Sequence, residues 1–286
     1  MQRSPADFAS FAVEQARRAT AAPIERLSTN FDRSAGEPVR GVGNAWSRTH
    51  YGGDFNLYVP PDGGTALSLV FVQSKNGNTG ASDPSALGGG PTDEHLIYEG
   101  LSRVAADAVL AGAGSVPRRS LFSVWHPELV ALRASLGLAR HPAQIVVSKE
   151  GRELDFTSLV FNVPDVPVFL VAGDACLSRH TPALRDRTWI RCVPIEGGNL
   201  RTAIDRLRSE AGIRRISAIG GRSTASHLVD AGVAQDLYLT TASRDGGEPG
   251  TPWYSGPAVP ALRTLTQKQW TVLGARILFE HILIAR

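Results

Sequence analysis

The sequence predicts an α/β protein with a mostly parallel central sheet, helices on both faces and antiparallel strands at its C-terminal edge. From Thr65 onward, apolar strand-like runs alternate with helix-like segments, which is typical of a parallel sheet covered by helices. At the end of the chain, residues 261–268 and 270–286 both have strand-like composition with no helix between them. Two strands joined without a helix favour antiparallel pairing at an edge of the sheet.

The predicted strands are short apolar runs bounded by turn-forming residues. They cover residues 66–73, 107–112, 143–148, 166–172, 187–193 and 235–242, with a further strand that ends before Gly220. Helices are expected over 93–105, 127–136 and 199–211. Thr92 suits the cap of the first of these helices, Asn199 the cap of the last, and Gly212 its left-handed end.

Residues 1–63 differ from the rest of the chain and are interpreted as an N-terminal arm. An amphipathic helix is expected over residues 7–18, where apolar residues recur at helical spacing. Short segments broken by Gly and Pro follow, up to a loop-forming cluster at residues 60–64. We therefore expect an arm that covers the main domain or a second subunit, followed by one α/β domain over residues 64–286.

Composition indicates a protein that binds small molecules in a reducing compartment. Of the 286 residues, 42% are apolar and 20% charged, with a formal net charge of +3, so nothing demands a nucleic-acid partner. Most of the 30 basic residues are arginines, whose guanidinium suits an anionic ligand.

The two cysteines are too few for a disulfide framework or a zinc site. With no signal pattern and no apolar run approaching the roughly 20 residues that span a bilayer, we expect a cytoplasmic protein that binds no membrane.

Two glycine turns follow predicted strands and indicate a phosphate-bearing ligand. Gly220 and Gly221 separate a buried strand from a helix that starts near Ser223, and glycine lets a ligand approach the backbone closely. The free N–H groups at such a helix start attract phosphate. Gly112 and Gly114 form a second turn after another strand, and parallel strands share one carboxyl edge. An ordinary strand–helix connection is the alternative, since neither turn matches the G-x-G-x-x-G fingerprint.

Motifs for hydrolysis or metal binding are absent from the sequence. There is no H-E-x-x-H, no close His/Cys cluster and no G-x-S-x-G, so no metal is expected. Asp93 and Glu94 are interpreted as charges at the start of a helix, and His95 on that helix is a candidate to face a ligand. Ser115 lies beside the possible phosphate site but serves equally well as a turn-forming residue.

Four segments, taken in order, resemble the reductase domain of riboflavin biosynthesis, within the dihydrofolate-reductase-like superfamily. Residues 72–77 (VQSKNG) are similar to its strand ending in Ser-Leu-Asp-Gly, and residues 142–148 (PAQIVVS) to its Pro-x-x-Val-Val-x-(Ser/Asp). Residues 101–116 match its Leu-Arg-x-x-x-Asp-Ala-(Val/Ile)-Leu-x-Gly-x-x-Thr-Val pattern closely. Residues 213–230 contain Gly-Gly where the family has Glu-Gly-Gly.

The resemblance implies a dihydrofolate-reductase-like three-layer fold and an NADPH-dependent reaction. Family members transfer hydride from NADPH to C1 of the ribosylamino group of a phosphorylated pyrimidine, in its open-chain imine form. By position, the residues implied to hold the cofactor are Gly112, Gly114, Ser115, Ser148, Lys149, Gly220, Gly221, Arg222 and Ser223. Ser148 and Lys149 would meet the adenosine 2′-phosphate, with Arg152 as a further cation. A homodimer is also implied, and the C-terminal strands offer a sheet edge for it.

The substrate half departs from the family pattern more than the cofactor half. Lys75 and Asn76 replace the leucine and aspartate of Ser-Leu-Asp-Gly. Asparagine is a poor acid or base, so a proton role at that position would be lost. Ile219 replaces the glutamate of Glu-Gly-Gly, which brings this strand closer to dihydrofolate reductases.

The expected function is an NADPH-dependent reductase that acts on a C=N bond of a small molecule. Lys75, Asn76 and His95 are the candidates to face the substrate, which is expected to be phosphorylated or pterin-like. Arg118 and Arg119 are further candidates to bind an anionic substrate group, although surface arginines are equally expected there. Two alternatives stay open: a dihydrofolate-type reductase, and a nucleotide-binding protein that has lost the substrate chemistry.

Overall fold

A ten-stranded sheet forms the centre of the molecule, whose computed structural model describes residues 5–81, 84–257 and 261–285. In chain order, the strands of this sheet and of a separate two-stranded one are β1 (Ser28–Asp32), β2 (Val39–Val42), β3 (Phe55–Tyr58), β4 (Ala66–Gln73), β5 (Ala108–Gly112), β6 (Ala143–Ser148), β7 (Val168–Ala172), β8 (Ile190–Pro194), β9 (Arg215–Ala218), β10 (Asp236–Thr241), β11 (Ala261–Val272) and β12 (Ala275–Ala285).

Seven α-helices are found in the described part of the chain. They are α1 (Pro5–Ala21), α2 (Ala45–Ser47), α3 (Gly90–Thr92), α4 (Pro127–Ser135), α5 (Asp174–Leu184), α6 (Leu200–Ala211) and α7 (Arg222–Asp230). Two of them, α2 and α3, continue directly into the π-helical segments Arg48–Gly52 and Asp93–Leu101. None of the described helices has the length and the hydropathy that a bilayer crossing requires.

Parallel pairing holds the middle of the main sheet, and antiparallel pairing holds one end. The strand order is β1-β11-β12-β10-β4-β9-β5-β6-β7-β8. All neighbours from β10 to β8 are parallel. At the other end, β12 pairs antiparallel with β10 and β11, and β1 pairs antiparallel with β11. This arrangement confirms the predicted α/β fold with antiparallel C-terminal strands.

Two layers of helices cover the sheet because successive residues of a strand face opposite sides. Leu67 and Leu69 of β4 belong to one apolar cluster with residues of α6 and α7. Val70 belongs to another cluster, with residues of α4 and of the π-helical segment after α3. Since both faces are buried, β4 is a continuous apolar run rather than an alternating one. At α6, the expected cap Asn199 and the left-handed Gly212, with a φ of 69°, are both confirmed.

The N-terminal residues are joined to the main sheet by β1 and by a buried lysine. β1 pairs with residues 266–269 of β11. Lys268, within that stretch, donates to Thr29 Oγ1 at 2.7 Å and to the Gly52 carbonyl at 3.1 Å. The sheet edge that the C-terminal strands were expected to offer a second subunit is therefore covered by β1 over residues 266–269 of β11. The division of the chain at residues 63 and 64 stays a prediction.

Three details of the expected secondary structure are wrong. Thr92 caps no helix, because its own backbone is helical and its hydroxyl accepts a hydrogen bond from the Glu25 amide at 3.0 Å. The C-terminal strands turn at Leu273 and Gly274, both with positive φ, and not near residue 269. The sequence did not predict α5, whose apolar residues show little periodicity and whose last turn contains Pro182.

Arg133 of α4 is predicted to stabilise the segment that follows α3. Arg133 is only 2% exposed, and its guanidinium donates to the carbonyls of Arg103, Val104 and Ala106 at 2.7–3.2 Å. Arg133→Met should lower the free energy of unfolding, measured in urea, by about 2–4 kcal/mol, because buried carbonyls lose their donor. Arg185→Met, at an exposed position, is the control and should change it by less than about 0.5 kcal/mol. Equal effects of the two substitutions would contradict this role.

Candidate functional site

The carboxyl ends of four adjacent strands bring most of the candidate residues to one edge of the sheet. β4, β9, β5 and β6 are neighbours in that order and run parallel, so the turns that follow them lie side by side. In the same order, these turns contain Lys75 and Asn76, Gly220 and Gly221, Gly112 to Ser115, and Ser148 and Lys149. The residues that the sequence assigns to a cofactor therefore occupy three adjacent turns.

Gly221 makes the closest contact between two of these turns. Its φ is +83° and that of Gly220 is +102°, values that favour glycine. A Cβ on Gly221 would lie 3.0 Å from Ser115 Oγ and 3.3 Å from Thr224 Oγ1, and a Cβ on Gly112 would collide with the same Thr224 hydroxyl. The turn after β9, the turn after β5 and the start of α7 thus touch, with no room for side chains between them.

The start of α7 presents backbone donors that no side chain caps. The helix begins at Arg222, and the preceding Gly221 has no side chain to accept from it. The first N–H groups of a helix lack intrahelical acceptors and lie at its positive end, which favours an anion. Arg222 adds a cation at this point, 3.9 Å from the carboxylate of Glu248. Ser223, the next residue, is exposed.

An open pocket with more cations than acids lies at the ends of β6, β7 and β8. Its charged lining residues are Lys149, Arg152, Arg179, Glu150 and Asp174. Arg152 pairs with the Glu150 carboxylate at 3.0 Å, and Arg179 donates to the Glu150 carbonyl at 3.1 Å. Next to Lys149 in the chain, the Ser148 hydroxyl accepts a hydrogen bond from the Gly151 amide at 3.0 Å. Three cations against two acids leave the pocket positive.

Glu153 places a carboxylate against the turn after β5. A Cβ on Gly114 would lie 2.6 Å from one of its oxygens and 3.2 Å from the other. Glu153 is exposed, and none of the ion pairs within the described residues includes it. Sequence reasoning missed this contact, since nothing local links residues 114 and 153.

Lys75 and Asn76 are exposed in the loop that follows β4. The Ser74 hydroxyl donates to the side-chain carbonyl of Asn76 at 2.5 Å. The Lys75 amide donates to the Arg244 carbonyl at 2.8 Å. These contacts hold the loop at the edge of the sheet, beside the turn that follows β9.

His95 lies in a different environment from the other two substrate candidates. It is 3% exposed, and its ring packs edge to face on His126 with 5.2 Å between the ring centres. Burial, assisted by the neighbouring His126, lowers its pKa to about 4, so the imidazole is neutral at pH 7. No described contact joins His95 to Lys75 or Asn76, and its expected role toward a ligand stays a prediction.

Asp93, interpreted from the sequence as a helix-start charge, is a buried acid. It opens the π-helical segment after α3 and is 5% exposed; such segments are frequent at functional sites. Thr240 of β10 donates its hydroxyl to the Asp93 carboxylate, and Thr240 is paired with Val72 near the end of β4. Burial raises the pKa of Asp93 to about 7, with a smaller contribution from Glu94, against the lowering effect of the Thr240 hydrogen bond. The carboxyl is therefore about half protonated at neutral pH.

Arg118 and Arg119 already have carboxylate partners. Arg119 pairs with Glu14 of α1 at 3.0 Å, and Arg118 lies 3.8 Å from Asp155. Both arginines thus form surface ion pairs, and their contact with an anionic substrate group stays a prediction. As for metals, the described ranges contain no group of three or more His, Cys, Asp or Glu side chains that could hold an ion.

Comparisons with known proteins agree with the fold and identify a family. The family model of the RibD C-terminal domain matches residues 79–279 of this chain. A pyrimidine reductase-like protein from Corynebacterium diphtheriae is 21% identical with a TM-score of 0.62, over 78% of this chain and 92% of that protein. No curated protein matches the chain.

Two larger solved structures are similar over a little more than half of their own length. A diaminohydroxyphosphoribosylaminopyrimidine deaminase/5-amino-6-(5-phosphoribosylamino)uracil reductase from Thermotoga maritima is 15% identical with a TM-score of 0.54, over 78% of this chain and 58% of that one. RibD from Acinetobacter baumannii is 15% identical with a TM-score of 0.53, over 77% of this chain and 58% of that one. These likenesses confirm the dihydrofolate-reductase-like fold.

The raised pKa of Asp93 predicts a pH-dependent difference in stability between the wild type and Asp93→Asn. Its value of about 7 in the fold lies above the ordinary 3.8, so the carboxyl stabilises the fold below about pH 4, and this contribution is lost as the pH rises through 7. Relative to the wild type, the free energy of unfolding of the variant should therefore increase by on the order of 1 kcal/mol per pH unit over that window. Urea denaturation at several pH values measures it. The exposed Asp186→Asn should show no such trend, and a pH-independent difference for Asp93→Asn would rule out the raised pKa.

Proposed function

Because the chain belongs to the family of the RibD C-terminal domain, we propose that it is a reductase that transfers hydride from NADPH to a C=N bond. The similar protein from Thermotoga maritima is named as a 5-amino-6-(5-phosphoribosylamino)uracil reductase. We propose the same substrate class here, a phosphorylated pyrimidine whose ribosylamino group reacts in its open-chain imine form.

The contact between the two glycine turns supports this proposal most strongly. Gly221 approaches Ser115 so closely that a Cβ would fill the gap, and α7 begins there without a side-chain cap. Both features suit a pyrophosphate that lies against the backbone at the start of the helix. An ordinary strand–helix connection requires neither feature, because a capping side chain would stabilise it.

The charged residues along this edge fit NADPH as well. Arg222 would meet the pyrophosphate, and Ser148, Lys149 and Arg152 would meet the adenosine 2′-phosphate, since guanidinium, ammonium and hydroxyl groups suit phosphate oxygens. When bound, NADPH supplies the hydride, while the protein positions the substrate and handles protons.

On the substrate side, the chain offers a proton donor and two polar contacts. Reduction of a C=N bond leaves a nitrogen that takes up a proton. Asp93 can hold that proton at neutral pH because burial raises its pKa to about 7, whereas Asn76 cannot. Since Asp93 is only 5% exposed, a substrate reaches it only if the packing around it opens. We assign Lys75 and Asn76 to substrate contact, since both are exposed at the edge. His95 remains a candidate, which a substrate reaches only if its packing on His126 opens.

Two other functions each have one observation in their favour. A dihydrofolate-type reductase is favoured by Ile219, a buried apolar residue where the riboflavin family has glutamate. A binding protein without catalysis is favoured by Asn76 in place of the family's aspartate. A homodimer and a cytoplasmic location belong to the same proposal, on the resemblance and on the low cysteine content.

Gly221→Asp should abolish NADPH binding, because it places a side chain and a negative charge in the proposed pyrophosphate site. Titration of NADPH fluorescence at micromolar protein measures the affinity. Gly137→Asp is the matched control, since Gly137 also has a positive φ, +71°, with open space around it at the end of α4. The control should bind NADPH like the wild type; unchanged affinity in Gly221→Asp would refute the assigned site.

The purified protein should oxidise NADPH with the ribosylamino pyrimidine phosphate as substrate and not with dihydrofolate. Asp93→Asn should lower kcat by about 10²-fold or more, the usual effect of losing a proton donor, with the NADPH affinity unchanged. Lys75→Ala should mainly raise KM. Turnover of dihydrofolate alone would select the first alternative, and NADPH binding without oxidation of any imine, pyrimidine or pterin tested would select the second.

A further inference from the structure

The order of the strands gives a dinucleotide a direction across the edge of the sheet. The proposed pyrophosphate site at the start of α7 follows β9, and β9 lies between β4 and β5. The β4 side carries Lys75, Asn76 and Asp93, which the proposed function places toward the substrate. The nicotinamide therefore belongs on that side, and the adenosine half belongs over the turns that follow β5 and β6.

Glu153 stands on the adenosine side of the edge. Its carboxylate oxygens lie 2.6 and 3.2 Å from the position of a Cβ on Gly114. Gly112, two residues earlier, instead faces Thr224 of α7. The turn after β5 thus has α7 on one side and Glu153 on the other, so this carboxylate borders the path from the pyrophosphate site to the cations after β6.

The Glu153 carboxylate has no ion-pair partner among the described residues, because the nearby Arg152 pairs with Glu150 instead. Glu150, in the same loop, pairs with Arg152 at 3.0 Å, while no ion pair within the described residues includes Glu153. Lys149 and Arg179 line the pocket at the ends of β6, β7 and β8. A phosphate group beside Gly114 would therefore meet an unneutralised negative charge, whereas a hydroxyl there would find a strong hydrogen-bond acceptor.

We propose that Glu153 is a specificity-determining residue for the adenosine half of the cofactor. Its carboxylate accepts hydrogen bonds from the ribose hydroxyls and disfavours a phosphate monoester on that ribose. Acidic residues have this role in other dinucleotide sites, where arginine favours the 2′-phosphate instead. The inference rests on the proposed function, because it takes the two glycine turns to hold a nicotinamide dinucleotide. It follows that the preference of the wild type for NADPH over NADH is weaker than the cations of the pocket alone would give.

Glu153→Gln tests this role by removing the charge and keeping the size and the hydrogen-bonding capacity of the side chain. Fluorescence titration with NADPH and with NADH gives two dissociation constants for each protein. We expect the affinity for NADPH relative to NADH to rise about tenfold, the size of one unfavourable charge contact near the protein surface. Glu153→Ala should shift the ratio in the same direction. Because Glu153 is exposed, both variants should unfold at the wild-type temperature.

Glu210→Gln is the charge-matched control, since it removes one exposed carboxylate from α6 and should leave the ratio unchanged. An unchanged ratio in both Glu153 variants, with NADPH still bound, overturns the role of Glu153 and leaves the proposed function standing. Failure of the wild type to bind either nucleotide overturns the proposed function and this inference together.

Discussion

The contact between the turn after β5 and the start of α7 is the constraint on which the candidate site depends. Gly112 packs against α7 and Gly221 against the turn after β5, so a side chain at either position would press on the Thr224 side chain at the start of α7. From the other side, Ala225 and Leu228 hold α7 in the apolar cluster that it shares with β4 and α6. Core packing therefore determines where the helix starts, and the helix start determines where an anion can bind.

Burial shifts the acids and histidines around the segment after α3 in opposite directions. It raises the pKa of Glu99 to about 7, against the lowering effect of two backbone hydrogen bonds and of Arg103. It lowers the pKa of His95 and His141 to about 4. A buried acid with a raised pKa loses its contribution to stability as the pH rises from about 4 to 7. A buried histidine with a lowered pKa destabilises the fold as the pH falls over much of the same window. The two slopes have opposite signs and therefore offset each other in part.

Local signals in the sequence located most of the helices and strands. β4 was expected at its observed bounds, residues 66–73, because a run of apolar and β-branched residues stands between turn-forming residues. The ends of α6 follow from Asn199 and Gly212, since caps act within one turn of a helix. Thr92 shows the limit of such signals, because a contact with the distant Glu25 replaced the expected cap.

The sequence by itself determined the α/β class, the mostly parallel sheet and the two glycine turns expected at its carboxyl edge, whereas the order of the strands came from the structure. Only the tertiary structure decided which charged groups stand at that edge. Asp93 is a buried acid whose carboxylate accepts a hydrogen bond from Thr240, 147 residues away, and Glu153 reaches Gly114 from the loop that follows the neighbouring strand β6. Strand and helix propensities and caps act over a few residues, whereas burial, pKa and charge proximity depend on segments that only folding brings together.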